Sequence, residues 1–339
     1  MISITGKIVF GFSGSDVVEK SIRLVRFATH RPLIVSTYEA HHGANATALS
    51  ASPTKKEMGT NVLSSFFQLP GFIHIPFPDP YRPWFGDRVN EGQQCLDFFE
   101  RLITNVYSAG LVAGVIVEPV LSYGGNIVPP EGYLKGLQKI CRRNAIPFIV
   151  DEVLTGIGKT GKMFALEHWR LDPDLVCIGK ALSGPLPLTL AVASNQLSDS
   201  WEAKDYVGIS KDGYILGCAA AIEILRIVHD EELVANAARV GIYLKNRLDD
   251  MMKDLKLEGD VRGLGLMMAV DLVGSEKTKE PATSLVEKVI NLARRSGLII
   301  GRVGAKGNVI RFVPTLTVAE KEVDNALEIL EAAISKTRS

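Results

Sequence analysis

The chain has 339 residues, of which 46% are hydrophobic and 22% charged, a composition typical of a folded protein with one large or two medium domains. Its 38 basic and 38 acidic residues balance, which argues against nucleic acid or an anionic membrane as the main partner, because both require a basic surplus. The scattered cysteines, the absence of a membrane-length apolar run and the absence of a signal-peptide pattern predict a soluble, cytoplasmic protein without a metal site.

The first part of the chain alternates short apolar runs with amphipathic stretches. The apolar runs predict strands at residues 7–12, 33–37, 111–117, 146–150, 174–179 and 188–193. Helical spacing of apolar residues occurs at 17–28, 91–104 and 133–143, the Pro-rich stretch 70–83 is expected to be extended, and 55–65 is expected to be a surface loop. Strands that alternate with helices predict a mostly parallel α/β sheet.

The pattern changes after residue 217. A helical pattern that begins at Gly217 continues through Leu255, and its length predicts a helix that bridges two domains. Strand patterns at 261–273, 298–300 and 308–313 are framed by helical patterns at 281–296 and 318–335, which predicts a small α+β domain. We therefore expect a large α/β domain over residues 1–225, and the bridging helix with the small domain over residues 226–339.

Two of the apolar runs end in side chains that are able to carry out chemistry. Asp151 follows the run 146–150, and Lys180 follows the run 174–179, about one crossover later. Ligands of open α/β sheets bind outside the carboxyl ends of such strands. Catalysis with pyridoxal 5′-phosphate (PLP) needs both groups, because a lysine holds the cofactor as a Schiff base and a carboxylate pairs with its pyridinium nitrogen. The alternatives are a surface lysine and a carboxylate that caps a helix or forms a surface ion pair.

A small-residue turn, Ser13–Asp16, joins the first predicted strand to the first predicted helix. Backbone N–H groups at a helix N-terminus bind phosphate, but the turn taken alone favours an ordinary helix cap, with Ser or Asp as the capping residue. The motif GIGKTG at 156–161 is not a complete phosphate loop, because Val153 occupies the position of the first glycine. The segment GFSG at 11–14 lacks the spacing of a dinucleotide fingerprint and of a serine-hydrolase elbow.

Several segments together resemble the class III PLP-dependent aminotransferases of fold type I. They are residues 118–125 (EPVLSYGG), 151–182, 261–273 and 308–317 (NVIRFVPTLT), and the resemblance extends over about the whole chain. It implies a mostly parallel sheet in the large domain and PLP as the cofactor. It also implies the transfer of an amino group between an amino acid and a 2-oxo acid by a homodimer, or a higher oligomer, with active sites at the subunit interface.

The resemblance also implies roles for individual residues. Lys180 would be the Schiff-base lysine and Asp151 the partner of the pyridinium nitrogen. Arg311 would bind the substrate α-carboxylate, for which a planar guanidinium is well suited. The remaining implied cofactor contacts are Gly14 and Ser15 at the phosphate, His41 and Val153 on the ring faces, Glu118 at the strand end, and Ser210 at the phosphate of the partner subunit.

Four positions depart from the family pattern. His41 replaces the stacking tyrosine, Leu154 replaces a glutamine that bonds the ring oxygen, Tyr123 replaces the glutamate that gates the arginine, and Ser210 replaces a threonine. The segment before the phosphate-binding turn is also much shorter than is usual in the family. These departures predict weaker contacts with cofactor and substrate, and they leave open a weakly active or non-catalytic paralogue.

Two further segments, GFSGSD at 11–16 and HIPFPDPYR at 74–82, resemble the branch of the family that contains amino-acid racemases and 2-epimerases. Both reactions remove the same Cα proton, with Lys180 as the base. Transamination returns the proton to the C4′ carbon of the cofactor, whereas racemisation returns it to the opposite face of Cα. A racemase or 2-epimerase therefore remains the alternative to an aminotransferase.

Overall fold

A computed structural model of the protein describes residues 6–53, 68–199 and 212–338. One sheet contains the strands β1 (Gly6–Gly11), β2 (Leu33–Thr37), β3 (Phe72–Ile75), β4 (Val112–Val117), β5 (Phe148–Glu152), β6 (Leu175–Ile178) and β7 (Thr189–Ser194). Their spatial order is β1-β7-β6-β5-β4-β2-β3. In the described residues β7 pairs antiparallel with β1 and with β6, and the other four strand pairs are parallel, so the prediction of a mostly parallel sheet is confirmed.

The stretch 70–83 contributes one strand, β3, to this sheet, and the remainder is irregular as expected. The predicted loop 55–65 lies outside the described residues.

The central strands of this sheet are buried on both faces, which explains why they read as continuous apolar runs. Val115 and Val150 belong to one apolar cluster, whereas their chain neighbours Ile116 and Ile149 belong to another. Successive side chains of a strand point to opposite faces, so the two clusters are the two sides of a three-layer fold.

Helices cover both faces of the sheet. Before β7 they are α1 (Gly14–Thr29), α2 (Ala46–Ser50), α3 (Glu91–Arg101) and α4 (Tyr133–Arg143), and after it come α5 (Asn195–Ser198), α6 (Ile215–Asp230) and α7 (Leu233–Asp254). The predicted bridging helix is therefore two helices, and that prediction was wrong. Glu232 interrupts it with a positive φ of 52°, a left-handed conformation that ends a regular helix.

A second sheet is antiparallel and contains four strands in the order β10-β11-β9-β8. Its elements are β8 (Gly259–Leu264), β9 (Met267–Leu272), α8 (Thr283–Arg295), β10 (Gly301–Val303), β11 (Val309–Phe312) and α9 (Glu320–Arg338). The strand predicted at 298–300 starts only at Gly301. Apolar residues of α7, α8 and α9 pack on this sheet as a separate core, which agrees with a small α+β unit. The boundary at residue 225 remains a prediction.

Within the described ranges, no helix is long and apolar enough to cross a membrane.

Candidate active site

A cleft of about 200 Å³ lies at the carboxyl ends of β4, β5 and β6. Glu118 follows β4, Asp151 is the last residue but one of β5, and Lys180 follows β6 after one glycine. Three side chains that are far apart in sequence therefore meet at one edge of the sheet, as the strand pattern predicts. The cleft is lined by Gly14, Ser15, His41, His42, Gly43, Glu118, Asp151, Val153, Leu154 and Lys180.

The carboxylate of Asp151 is buried and held at both oxygens. Its Oδ2 lies 2.7 Å from Nδ1 of His42, and its Oδ1 accepts a hydrogen bond of 3.0 Å from the backbone N–H of Val153. The backbone N–H of His42 donates to Ser52 Oγ at 2.7 Å, which fixes the loop that carries the imidazole. His42 thus orients Asp151, a role that sequence reasoning missed because two adjacent loop histidines do not reveal which ring faces inward.

Lys180 is exposed and lies just beyond the carboxyl end of the buried strand β6. Its backbone has a positive φ of 43°, an uncommon conformation for a residue with a side chain, and such residues are frequent at functional sites. Its ammonium group forms no hydrogen bond or ion pair with any residue that the structure describes. No partner among the described residues therefore keeps the Lys180 side chain from contacting a ligand in the cleft.

The N-terminus of α1 forms one end of the cleft. Ser13 caps the helix, because its Oγ accepts a hydrogen bond of 3.2 Å from the N–H of Asp16. The N–H groups of Gly14 and Ser15 bond to none of the described residues, and two free N–H groups at a helix start can bind an anion. A Cβ atom on Gly14 would lie 3.1 Å from Val153 Cγ1, so glycine allows the helix end to approach the cleft closely.

His41 lies on another side of the cleft, with its ring stacked on Tyr123 at a centroid distance of 4.7 Å. Burial, together with the neighbouring His42 and Lys180, lowers the pKa of His41 to about 4, so the imidazole is neutral at physiological pH. The backbone N–H of His41 donates to Glu118 Oε2 at 3.1 Å. Burial raises the pKa of Glu118, whose other oxygen accepts a hydrogen bond from Ser122. Glu118 therefore anchors the His41 loop.

Arg311 lies on β11 of the small sheet, close to the cleft but not in its lining. Burial lowers the pKa of Arg311, whereas the nearby Tyr123 and Glu118 raise it. Among the described residues, none forms a hydrogen bond or an ion pair with its guanidinium group. A free guanidinium beside the cleft can bind a carboxylate. Ser210 lies outside the described residues.

The residues present fit PLP. The cleft offers helix N–H groups for a phosphate, a free lysine for an aldehyde and a buried carboxylate for a pyridinium nitrogen. Val153 provides an apolar surface for a ring, and His41 a flat aromatic one. Leu154 also lines the cleft, and its apolar side chain cannot form a hydrogen bond with a ring oxygen there.

Comparisons with known proteins agree with this fit. The family model described as Aminotransferase class-III matches residues 2–334. Among similar proteins, a leucine/methionine racemase of Thermococcus litoralis is 34% identical over 97% of this chain and 73% of its own length. A 4-aminobutyrate aminotransferase of Mycobacterium leprae is 35% identical over 94% of this chain and 71% of its own length.

A similar solved structure is the PLP-bound form of an amine transaminase from an uncultivated Pseudomonas species. It is 30% identical, with a TM-score of 0.89 over 98% of this chain and 77% of that chain. The match extends over both sheets, so it includes the cleft and the residues around it. The chain therefore belongs to the class III aminotransferase family, and it is a PLP-dependent transaminase of fold type I.

Proposed function

We propose that Lys180 and Asp151 are the catalytic residues of this transaminase, which moves an amino group between an amino acid and a 2-oxo acid. The observation that supports this most strongly is the meeting, in one cleft, of a free lysine, a carboxylate oriented by His42, and the open N-terminus of α1.

Each residue has a task that follows from its position. PLP, when bound, supplies an electron sink that stabilises negative charge at the substrate Cα. Lys180 Nζ would hold the cofactor covalently and then move the Cα proton. Asp151 would keep the pyridine nitrogen protonated, and His42 would keep that carboxylate in place.

The remaining contacts are positioning contacts. Gly14 and Ser15 would hold the phosphate through their backbone N–H groups, and Val153 and His41 would contact the two ring faces. Glu118 would hold the His41 loop, and Arg311 would bind the substrate carboxylate through its free guanidinium. By resemblance to the family, Ser210 would contact the phosphate in the partner subunit.

The assignment of Lys180 is tested by the visible absorbance of the protein after addition of PLP. Wild type is expected to gain a band that remains after gel filtration, and Lys180→Ala is expected to lose it along with turnover. Lys245→Ala is the matched control, because Lys245 lies on the exposed surface of α7 and pairs with Asp249 at 2.8 Å. A stable band in Lys180→Ala would overturn the assignment.

A racemase or 2-epimerase is the second candidate function. Its support is the similarity to the leucine/methionine racemase and the presence of a second ring with nitrogen atoms, that of His41, in the same cleft as Lys180. One enantiomer of an amino acid, incubated without any 2-oxo acid, separates the two activities. A racemase converts this enantiomer to a mixture of both enantiomers. A transaminase stops after one reaction per bound cofactor, because no 2-oxo acid is present to accept the amino group.

We further propose that the protein is a homodimer, or a higher oligomer built from dimers, that associates through α6. This helix exposes Ile215 (81%), Leu216 (60%) and Ile222 (55%), and large exposed apolar side chains in one patch are typical of protein interfaces. Sedimentation equilibrium of wild type and Ile222→Asp tests this proposal. The variant is expected to shift toward monomer, and a monomeric wild type would contradict it.

A cytoplasmic location is also proposed. Its support is that all four cysteines are free thiols, as is usual in a reducing compartment. Cell fractionation with an antibody against the protein tests it, and recovery outside the cytosolic fraction would contradict it.

A further inference from the structure

One lysine of α1 is almost completely buried, although the proposed catalytic chemistry does not require it. Lys20 lies in the second turn of the helix, and it is only 2% exposed. Its ammonium group lies 2.6 Å from the backbone oxygen of Phe10, 2.9 Å from Asp212 Oδ1 and 3.4 Å from Asp16 Oδ2. A buried charge is retained only when it is paired, and here one cation is paired with two carboxylates and a carbonyl.

These contacts shape the turn that carries the phosphate-binding groups. Asp16 Oδ2, besides facing Lys20, accepts a hydrogen bond of 2.9 Å from the backbone N–H of Phe12. Lys20 and Asp16 therefore hold both sides of the turn between β1 and α1, and Gly14 and Ser15 follow that turn directly as the first two residues of α1.

The same ammonium group connects this turn to a distant part of the chain. Asp212 immediately precedes the segment that enters α6, and the ring of Tyr214 lies 6.2 Å from the ring of Phe12. Lys20 thus fixes two segments that are almost 200 positions apart, since its bond to Asp212 spans 192 positions. Both segments meet beside the turn between β1 and α1.

The positive charge of Lys20 also affects anion binding at the start of α1. Asp16 lies in the first turn of α1, next to the free N–H groups, where a carboxylate would repel a phosphate dianion. Lys20 offsets part of the negative charge of Asp16 and Asp212, which reduces their repulsion of an anion at the positive end of the helix dipole.

We propose that Lys20 is a positioning residue for the cofactor phosphate: it offsets part of the negative charge of Asp16 and Asp212 and holds the β1–α1 turn so that Gly14 and Ser15 can bind a phosphate group. This inference rests on the proposed cleft for PLP. It predicts an effect on the phosphate alone and none on the pyridine ring or the link to Lys180.

The test compares PLP with pyridoxal, which has the same ring and aldehyde but no phosphate. Both are titrated into the full chain, and the dissociation constant is read from the absorbance band. Lys20→Met, which keeps the length of the side chain and removes its charge, is expected to weaken PLP binding at least about tenfold and to leave pyridoxal binding unchanged. Lys245→Met is the control for removing a lysine from a helix surface.

A second variant tests the role of charge. Lys20→Met/Asp212→Asn also removes one of the two carboxylates that contact Lys20 in wild type, and it is expected to regain part of the lost PLP affinity. It also replaces Lys20→Met in the comparison if the single variant does not fold. Equal loss of PLP and pyridoxal binding, or no loss of either, would overturn the inference. A wild type that forms a band with neither compound would instead refute the proposed cofactor site.

Discussion

Two half-buried histidines, His41 in the cleft and His74 on β3, have pKa values lowered to about 4, mainly because burial disfavours the charged imidazolium. In the unfolded chain their pKa is near 6.5. The unfolded state therefore binds more protons than the folded state between about pH 6.5 and pH 4. Their contribution to stability is fully present above pH 6.5 and is lost as the pH falls through this window.

The first prediction follows from this pH window. His74→Asn and His41→Asn are each expected to make the free energy of unfolding less dependent on pH between about pH 6.5 and pH 4. For each histidine, the slope of the free energy of unfolding against pH is expected to fall by less than about 1.4 kcal/mol per pH unit, because both side chains keep some solvent contact. Urea unfolding at several pH values measures it, and comparison with wild type cancels the titration of the carboxylates.

The control for this prediction is His30→Asn. His30 is exposed at the end of α1 and has a positive φ of 55°, which asparagine tolerates. Its substitution should leave the pH dependence as in wild type. Curves for His74→Asn and His41→Asn that remain parallel to wild type would show that burial does not hold these rings neutral.

The second prediction concerns the glycine that precedes Lys180. A Cβ atom on Gly179 would lie 2.8 Å from Thr189 Cγ2 and 3.4 Å from Val153 Cγ1. Gly179→Ala is therefore expected to lower the free energy of unfolding by about 1–3 kcal/mol and to weaken PLP binding, because Lys180 must move with its neighbour. Urea titration and cofactor absorbance measure the two effects.

Gly301→Ala is the matched control, since a Cβ atom there meets nothing within 4 Å. Its stability is expected to stay within about 0.5 kcal/mol of wild type. Equal effects of the two substitutions would mean that close packing at Gly179 is unimportant.

For single residues, the sequence predicts which side chains follow a strand better than it predicts the hydrogen-bond and ion-pair partners of those side chains. Asp151 and Lys180 are recognisable because each ends an apolar run, and the sheet brings such ends together. The partnership of His42 with Asp151 and of Lys20 with Asp212 joins residues more than a hundred positions apart. No local spacing encodes these contacts, because they depend on how helices and loops cover the sheet.

Some helices and strands were predictable from the sequence and others were not. The strands and the long helices carry strong periodicity, and most were predicted to within a few residues. The five-residue helix α2 was missed because it is too short to show a period. The break between α6 and α7 was missed because it contains Glu231 and Glu232 instead of glycine or proline, the residues that usually mark a helix end.

This break gives the third prediction. Glu232 has a positive φ of 52°, and a side chain in the left-handed region costs about 1–2 kcal/mol. Glu232→Gly removes that cost but increases the entropy of the unfolded chain, so a net stabilisation of about 0.5–1 kcal/mol is expected. Glu231→Gly is the control, because Glu231 has a negative φ of −93° and should lose stability instead. A thermal unfolding series measures both, and destabilisation by Glu232→Gly would contradict the prediction.

In the whole molecule, the two sheets are joined by a buried ionic cluster around Asp271 of β9. This fully buried carboxylate pairs with Arg82, which belongs to the segment after β3, and with Arg262 Nη2 of β8 at 3.0 Å. Asn308 Nδ2 also donates to it at 2.6 Å. The family resemblance predicts both sheets, but composition and periodicity do not reveal this cluster, because its members come from four separate segments.

The fourth prediction is that Asp271→Asn weakens the attachment of the small sheet to the rest of the molecule. Asp271→Asn takes a charged partner from Arg82 and from Arg262, although Arg262 keeps its ion pair with Asp260, and a loss of about 1–3 kcal/mol in the free energy of unfolding is expected. Urea unfolding followed by circular dichroism measures this loss. The control Glu320→Gln breaks the exposed pair with Arg239 and should cost less than about 1 kcal/mol. Similar losses in the two variants would show that the cluster does not join the sheets more strongly than a surface ion pair does.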